Sequence, residues 1–323
     1  MFKNILTALI LTYVILTGAY FLNRYHPFID IKFKTSSTDD ESVTQSDVVM
    51  KCPSYSIGHI SNNGESFRVK LRRLFTEEET LIDESNLAIS VASLTCDRAG
   101  QKALIYYDST PVAIGVVESY DYSKPIAVET TDVPILYTVL KIENKLQDYP
   151  PTGYIVAVFD YDQDLLDFYT YISTSYTKND EQLIDGNIDT IYYEVIGSSP
   201  SNAQAEYSSI KTQLDNKTKM ELITVLATWT DPELPKNVNY MTLFNMHINP
   251  KTKKASRYSL FPMTKIRKSD FDLFQVLDVD NDGYKETILK KTRANVTSFI
   301  TFKYDNSKDI YIELGSSEDQ DGE

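Results

Sequence analysis

A short acidic stretch near the end of the chain carries the clearest chemistry in this sequence. Carboxylates occupy positions 1, 3, 5 and 9 of the stretch, at Asp278, Asp280, Asp282 and Glu286, and Gly283 stands at position 6. A hard cation such as Ca²⁺ takes about six to eight oxygen ligands, and alternating acids on a tight turn can point several of them at one centre. Glycine permits a sharp turn because it lacks a Cβ and tolerates positive φ. The stretch therefore predicts a calcium loop.

The way the loop closes separates it from the EF-hand. That motif places a bidentate glutamate at position 12, where this sequence has Leu289. Here Glu286 closes the loop at position 9, and the strand-like residues 287–289 follow at once. The alternative is an acidic turn without a metal, in which the side chains hydrogen-bond the local backbone.

The spacing of the acids, preceded by the apolar residues Phe274, Val276 and Leu277, resembles the calcium loops of FG-GAP/VCBS-type repeats. Such repeats occur in integrin-α-like β-propellers and in many bacterial surface proteins. The resemblance implies that the four acids of the loop are side-chain ligands and that Tyr284 gives its backbone carbonyl. The Ca²⁺ ion would then be structural, holding the turn between two strands.

Two weaker versions of the loop lie upstream. Residues 160–167 have acids at positions 1, 3 and 5, but Leu165 replaces the glycine and Asp167 comes one position early. Residues 181–189 match only the second half of the pattern and are interpreted as a decayed repeat. Three acidic loops, each followed by an aromatic strand, suggest an internal repeat. A body of about 275 residues has room for about six four-stranded propeller blades or for two sandwich-like modules.

The elements that position these loops are mainly strands. The chain contains 23 Tyr, 14 Phe and many β-branched residues, which favours β-structure. The best helix is predicted at residues 200–214, with Ser199 as N-cap and Pro200 at the first helical position. Strands are predicted at 87–94, 103–107, 112–117, 135–142, 154–159, 168–172, 190–196, 222–229, 240–248, 257–261, 287–290, 298–304 and 310–314. Residues 67–72 alternate like a strand but also have apolar residues at helical spacing, so either element is possible there.

An apolar run at the N-terminus predicts a membrane anchor. Residues 5–22 carry no charge and, as a helix, would span roughly 27 Å, about the hydrocarbon core of a bilayer. A cleaved signal peptide is the alternative, because small residues at 17–19 offer a cleavage point. The expected fold class is mainly β, with β-propeller-like or β-sandwich-like repeats behind a single N-terminal transmembrane helix. We expect four segments: the anchor at 1–24, a polar tether at 25–50, an N-terminal β-rich half at 51–200 and a C-terminal β-rich half at 201–323.

Composition limits the partners and the compartment. The formal net charge of −14 argues against a nucleic-acid-binding protein, which needs a cationic surface to meet phosphates. Cys52 and Cys96 are the two cysteines, a number compatible with one disulfide in an oxidising compartment or with two free thiols. The calcium loop also favours a location where calcium is millimolar. We therefore expect a body in the periplasm or at the cell surface, or an exported protein if the signal is cleaved, with an unidentified protein or glycan partner. The basic residues beside the apolar run, Lys3 before it and Arg24, Lys32 and Lys34 after it, do not favour this orientation, so a membrane protein whose body faces the cytoplasm is the alternative.

The sequence offers no motif for nucleophilic or cofactor-dependent catalysis. It has no G-x-S-x-G elbow, P-loop, dinucleotide glycine fingerprint, HExxH or CxxC pair. His26, His59 and His247 are the three histidines, and none has a neighbouring nucleophile in a recognisable pattern. A membrane-anchored binding or structural protein with a structural Ca²⁺ is the favoured function. An extracytoplasmic hydrolase acting on glycans or phosphoesters through paired carboxylates is the alternative.

Overall fold

The computed structural model describes residues 54–73, 98–123, 135–159, 176–197, 203–215, 217–232, 235, 238–267, 271–293 and 296–320. The predicted anchor, the polar tether, both cysteines and the upstream stretch at 160–167 lie outside these residues, as do the predicted strands 87–94 and 168–172. The described residues belong to one compact unit. Within the described ranges, no helix has the length and apolar content needed to cross a membrane.

The described part of the chain is mainly β, as the composition predicts. It contains fourteen strands and one α-helix of nineteen residues, α1. The elements are β1 (Tyr55–Ser61), β2 (Ser66–Arg73), β3 (Lys102–Tyr107), β4 (Thr110–Ser123), β5 (Ile135–Lys145), β6 (Tyr154–Phe159), α1 (Lys178–Ile196), β7 (Gln204–Gln213), β8 (Glu221–Thr230), β9 (Val238–Ile248), β10 (Ala255–Arg267), β11 (Phe271–Leu277), β12 (Glu286–Arg293), β13 (Val296–Asp305) and β14 (Ile310–Gln320).

The first six strands close into an antiparallel barrel. Their order around the barrel is β1-β2-β5-β4-β3-β6, and β1 pairs with both β2 and β6 to complete the circle. Alternate side chains point inwards and fill the interior, since a barrel this small has no room for a channel. Among the largest buried inward residues are Phe67, Leu140, Ile155 and Phe159.

The remaining strands form two four-stranded antiparallel sheets that pack face to face. One sheet has the order β10-β9-β8-β7 and the other β11-β12-β13-β14. Leu226 and Leu243 of the first sheet share an apolar cluster with Leu289 and Phe302 of the second. Asn245 Nδ2 donates a buried hydrogen bond of 3.1 Å to Thr287 Oγ1 across the same interface.

Each sheet is covered on its other face, so the body is built in four layers. Helix α1 covers the β7–β10 sheet, with Ile184 and Ile188 packed near Val225 and Trp229. The barrel covers the β11–β14 sheet through the cluster of Ile57, Leu104, Tyr106, Ile114, Val156, Val158, Leu277, Val279, Ile288 and Phe299. The layer order is therefore helix, sheet, sheet and barrel, and the acidic loop at 278–286 starts from a sheet that is buried on both sides.

The helix lies upstream of the position that the sequence predicts. Residues 204–213 form the edge strand β7, so the predicted helix at 200–214 is wrong over its described residues. Tyr207, Ile210 and Leu214 have helical spacing, but β7 lies at a sheet edge where both faces of its first half are exposed, and this removes the alternation typical of a strand. Pairing with β8 along its whole length decides the outcome.

Helix α1 also replaces the predicted decayed repeat at 181–189 and the predicted strand at 190–196. Thr177 caps the helix, and Asp180 completes a reciprocal capping box with it. Ile184, Ile188 and Ile191 recur on one face, which packs on the β7–β10 sheet. The three acids of residues 181–189 and Gly186 lie on the exposed side of the helix and form no loop.

Candidate metal centre

The β11–β12 hairpin brings the two ends of the acidic loop together. The strands are antiparallel neighbours, with Leu277 opposite Glu286. The chain that leaves β11 at Asp278 must therefore return beside its own starting point. This register, set by apolar residues buried against the barrel, places the first and last carboxylates of the loop at the same end of the sheet.

The turn needs two residues in the left-handed region of the backbone. Asn281 has φ of 58° and Gly283 has φ of 92°. A Cβ added at Gly283 would meet nothing within 4 Å, so glycine is favoured here by conformation and not by space. The predicted role of Gly283 is consistent with this geometry.

Three of the predicted ligands converge. Asp278, Asp280 and Glu286 each offer one carboxylate oxygen, and these oxygens all lie within 4.8 Å of one another. Glu286 is 0% exposed and Asp278 is 5% exposed, whereas Asp280 is partly exposed. Such a group could hold a metal ion, with access from the side of Asp280.

Each buried carboxylate has one oxygen bound to the backbone and one left over. Val279 N donates to Glu286 Oε2 at 2.8 Å, and Gly283 N donates to Asp278 Oδ2 at 2.9 Å. Glu286 Oε1 and Asp278 Oδ1 are buried and accept no hydrogen bond from any described residue. The backbone thus orients both side chains and leaves one acceptor of each without a partner. A buried acceptor without a partner is costly, and a bound cation would remove this cost.

The pKa values of the two buried carboxylates are both raised. Burial raises the pKa of Glu286 well above its ordinary value, and the charges of Asp280, Asp278 and Asp282 add to this effect. Burial raises the pKa of Asp278 to about 6, opposed by its hydrogen bond from Gly283. Both carboxylates are therefore hard to ionise next to each other unless a cation is present.

The other two predicted ligands lie differently. Asp282 is exposed, and its Oδ2 is 2.7 Å from Lys303 Nζ. Lys303 also forms an ion pair with Asp280. Tyr284 forms a backbone bridge with Asp215, and its ring contacts that of Tyr304. Asp282 and Tyr284 stay predicted ligands, since only the other three acids form the compact group.

The comparisons add no relative. No protein-family model matches this chain, and no curated protein or solved structure matches it significantly. The FG-GAP/VCBS resemblance and the ligand set that it implies therefore stay predictions. The geometry of the loop is what supports a metal site.

Sequence reasoning missed the neighbours that complete this site. Lys303 comes from β13, and Tyr55 of the barrel lies close enough for the charges of Glu286 and Asp280 to raise its pKa, after the larger effect of burial. The backbone N–H of Lys285 donates to Leu214 O at 3.1 Å, which ties the loop to the turn after β7. These contacts depend on which strands become neighbours. A signal existed only for Lys303, which is the one basic residue of β13.

A second polar cluster lies between the two sheets, centred on His247 of β9. His247 is 3% exposed and lies among the rings of Tyr258, Tyr304 and Tyr311, with centroid distances of 4.4, 4.7 and 5.7 Å. His247 Nε2 is 2.8 Å from Tyr311 Oη. Tyr258 and Tyr304 both donate to Asp309 Oδ1. The rings are packed against one another, which indicates a core role for this histidine.

The burial of His247 predicts a loss of stability in acid. Burial lowers its pKa from 6.5 to about 4, although the charges of Asp309 and Asp215 oppose the shift. His247 binds a proton more readily in the unfolded chain than in the folded one. The folded state is therefore favoured most above pH 6.5, and this advantage is lost as the pH falls towards 4. Between pH 7.5 and pH 4.5, we expect the free energy of unfolding of His247→Gln to fall by about 2 to 3 kcal/mol less than that of the wild type. Urea denaturation of both proteins in EDTA measures this, and parallel pH profiles would contradict it.

Proposed function

We propose that this chain is a membrane-anchored extracytoplasmic binding or structural protein whose body is stiffened by one Ca²⁺ ion in the 278–286 loop. The observation that carries the proposal is the pair of buried, unpartnered oxygens, Glu286 Oε1 and Asp278 Oδ1, beside the carboxylate of Asp280. Ca²⁺ is favoured over Mg²⁺ because three carboxylates of the loop converge, whereas Mg²⁺ keeps several waters and usually takes only one or two protein carboxylates. The ion would neutralise acids that otherwise repel.

The layered body supports a structural role for the ion. The loop joins two strands of a sheet that packs on the barrel through one face and on the β7–β10 sheet through the other. Fixing this turn would stiffen the centre of the body and leave its surfaces free for a partner. Of the two finer fold expectations, face-to-face packing of two four-stranded sheets favours the sandwich-like one.

The membrane anchor in this proposal is inferred from the sequence alone. The uncharged run at 5–22 and the polar residues after it are typical of an anchor and a tether. A loop with carboxylate ligands would fill readily where calcium is millimolar, which favours a body outside the cytoplasm. Resistance of the full chain to extraction from membranes by alkaline carbonate would test the anchor.

Calorimetric titration of the full-length chain in mild detergent tests the calcium site. We expect binding heat with Kd between about 10⁻⁴ and 10⁻³ M, the range of extracellular calcium modules, and a rise in Tm at millimolar CaCl₂. The double variant Asp280→Ala/Asp282→Ala is the control and should give neither signal. Absence of heat and of a thermal shift in the wild type would refute the proposal.

A further inference from the structure

The acidic loop holds a cation of its own in this structure, the side chain of Lys303. Its ammonium group pairs with Asp280 and is 2.7 Å from Asp282 Oδ2. The side chain of Lys303 is partly buried, so these charge-assisted hydrogen bonds are stronger than those of a fully exposed ion pair.

The strand register explains how Lys303 reaches the loop. Thr287 of β12 is opposite Phe302 of β13, so Glu286 and Lys303 are the adjacent positions along the same pair of strands. Side chains alternate along a strand, and both residues start on the sheet face that carries Ile288 and Phe299 towards the barrel. From this face, Lys303 reaches the outer acids of the loop, while Glu286 stays beneath them.

The carboxylates of the loop thus fall into two sets that share one member. Asp278, Asp280 and Glu286 form the compact group that could hold a metal ion. Asp280 and Asp282 are the pair neutralised by Lys303. Asp280 belongs to both sets, so an ammonium group and a metal ion compete for the same carboxylate. The ammonium group of Lys303 and a metal ion bound to the same carboxylate would repel each other, and a partly buried site screens this repulsion less than bulk water does.

We propose that Lys303 is a tethered counter-cation that occupies the outer half of the site in the absence of metal and is displaced from Asp280 when Ca²⁺ binds. This inference rests on the proposed function of the loop. Binding of the ion must break a charge-assisted hydrogen bond between Lys303 and Asp280, so the affinity is lower than the acids would otherwise give. Lys303 in this way sets the calcium concentration at which the loop fills, and it limits the repulsion among the acids when the loop is empty.

The first experiment compares calcium affinity in variants of the full-length chain. Lys303→Met removes the competing charge, and we expect its Kd for Ca²⁺ to fall at least tenfold relative to wild type. Lys308→Met is the matched control, because Lys308 lies after the same strand and pairs with Asp305 in an exposed turn. Its Kd should stay within twofold of the wild-type value. Lys303→Gln provides a second uncharged variant if the methionine does not fold.

The outcomes separate this inference from the calcium site itself. Equal affinity in wild type and Lys303→Met, or weaker affinity in the variant, overturns the role of Lys303 and leaves the calcium site standing. If neither protein binds Ca²⁺, the proposed function fails and the inference fails with it. Weak wild-type binding with much tighter binding by the variant supports both.

A second experiment needs no substitution at the site. Lysine amines of the wild-type chain are acetylated briefly with acetic anhydride, in EDTA and in saturating CaCl₂, and peptides are quantified by mass spectrometry. Lys303 should react at least threefold faster with calcium, because its ammonium group leaves the carboxylates, while Lys308 should be unchanged. A Lys303 rate that calcium does not alter would contradict displacement.

Discussion

Replacing Glu286 by glutamine should stabilise the protein when no divalent cation is present and abolish its response to calcium. The wild-type carboxyl is fully buried with Oε1 unpartnered among the described residues, so the fold must either keep a buried charge or hold a proton against the ordinary pKa. Glutamine keeps the shape and the acceptor for Val279 N without this cost. At pH 7 in EDTA, we expect Glu286→Gln to be about 1 to 3 kcal/mol more stable than wild type, which is the usual cost of a buried polar group without a partner.

Calcium should stabilise the wild type and leave Glu286→Gln almost unchanged. An ion bound with Kd of about 10⁻⁴ M adds about 2.7 kcal/mol to the wild type at 10 mM CaCl₂, because only the folded state binds it. Glu286→Gln has lost a charged ligand and should gain almost nothing. Urea denaturation of both proteins in EDTA and in calcium gives the four free energies of unfolding.

The control for this prediction is Glu313→Gln, which removes an exposed carboxylate from β14 of the same sheet. It should change neither the stability in EDTA nor the gain in calcium by more than about 0.5 kcal/mol. If Glu286→Gln is less stable than wild type in EDTA, the buried carboxylate is not a source of strain. If it gains as much from calcium as the wild type, Glu286 is not a ligand.

Gly58→Ala should destabilise the barrel by about 3 kcal/mol or more, because the added methyl group overlaps the backbone of the next strand. An ideal Cβ at Gly58 would lie 2.2 Å from Arg68 O and 2.5 Å from Val69 Cα. Strand β1 pairs with β2 on one side and β6 on the other, so it cannot move away from β2 without breaking the closure of the barrel. The shift in Tm or in the urea midpoint measures the effect.

Gly186→Ala is the matched control and should act in the opposite direction. A Cβ at Gly186 meets nothing within 4 Å, and the residue lies inside α1, where alanine is favoured over glycine by about 0.5 to 1 kcal/mol. If residues 181–189 formed the predicted loop instead of a helix, the same substitution would be neutral or harmful. A neutral Gly58→Ala would contradict the close approach of β1 and β2, and a harmful Gly186→Ala would contradict the helix.

The sequence predicts individual strands well where burial on both faces makes them apolar. Strand β8 is such a case, since alternate residues such as Trp229 and Leu226 pack on α1 and on the opposite sheet. The sequence predicts the wrong element where the local composition is typical of a different one. Acids around Gly186 resemble a loop although they only form the solvated side of a helix, and β7 lacks alternation because it is an edge strand.

The candidate site divides in the same way. The turn, its glycine and the convergence of Asp278 with Glu286 are local, so spacing along the chain predicts them. The contribution of Lys303 depends on which strand pairs with β12, and that of Tyr55 depends on how the barrel packs on the sheet. Neither pairing nor layer order is encoded in residue spacing. Barrel closure between β1 and β6 is beyond sequence reasoning for the same reason.

The backbone hydrogen bond from Lys285 to Leu214 has a consequence for how the body unfolds. This bond, together with the bridge between Tyr284 and Asp215, joins the loop of one sheet to the turn of the other through main-chain atoms. Among the residues that the structure describes, the other contacts between the two sheets are made by side chains, which can separate one by one. Opening the loop therefore releases the ends of both sheets together, so a bound ion would couple two potential foldons into one cooperative unit. Slow amide exchange would then extend across both sheets in calcium and divide between them in its absence.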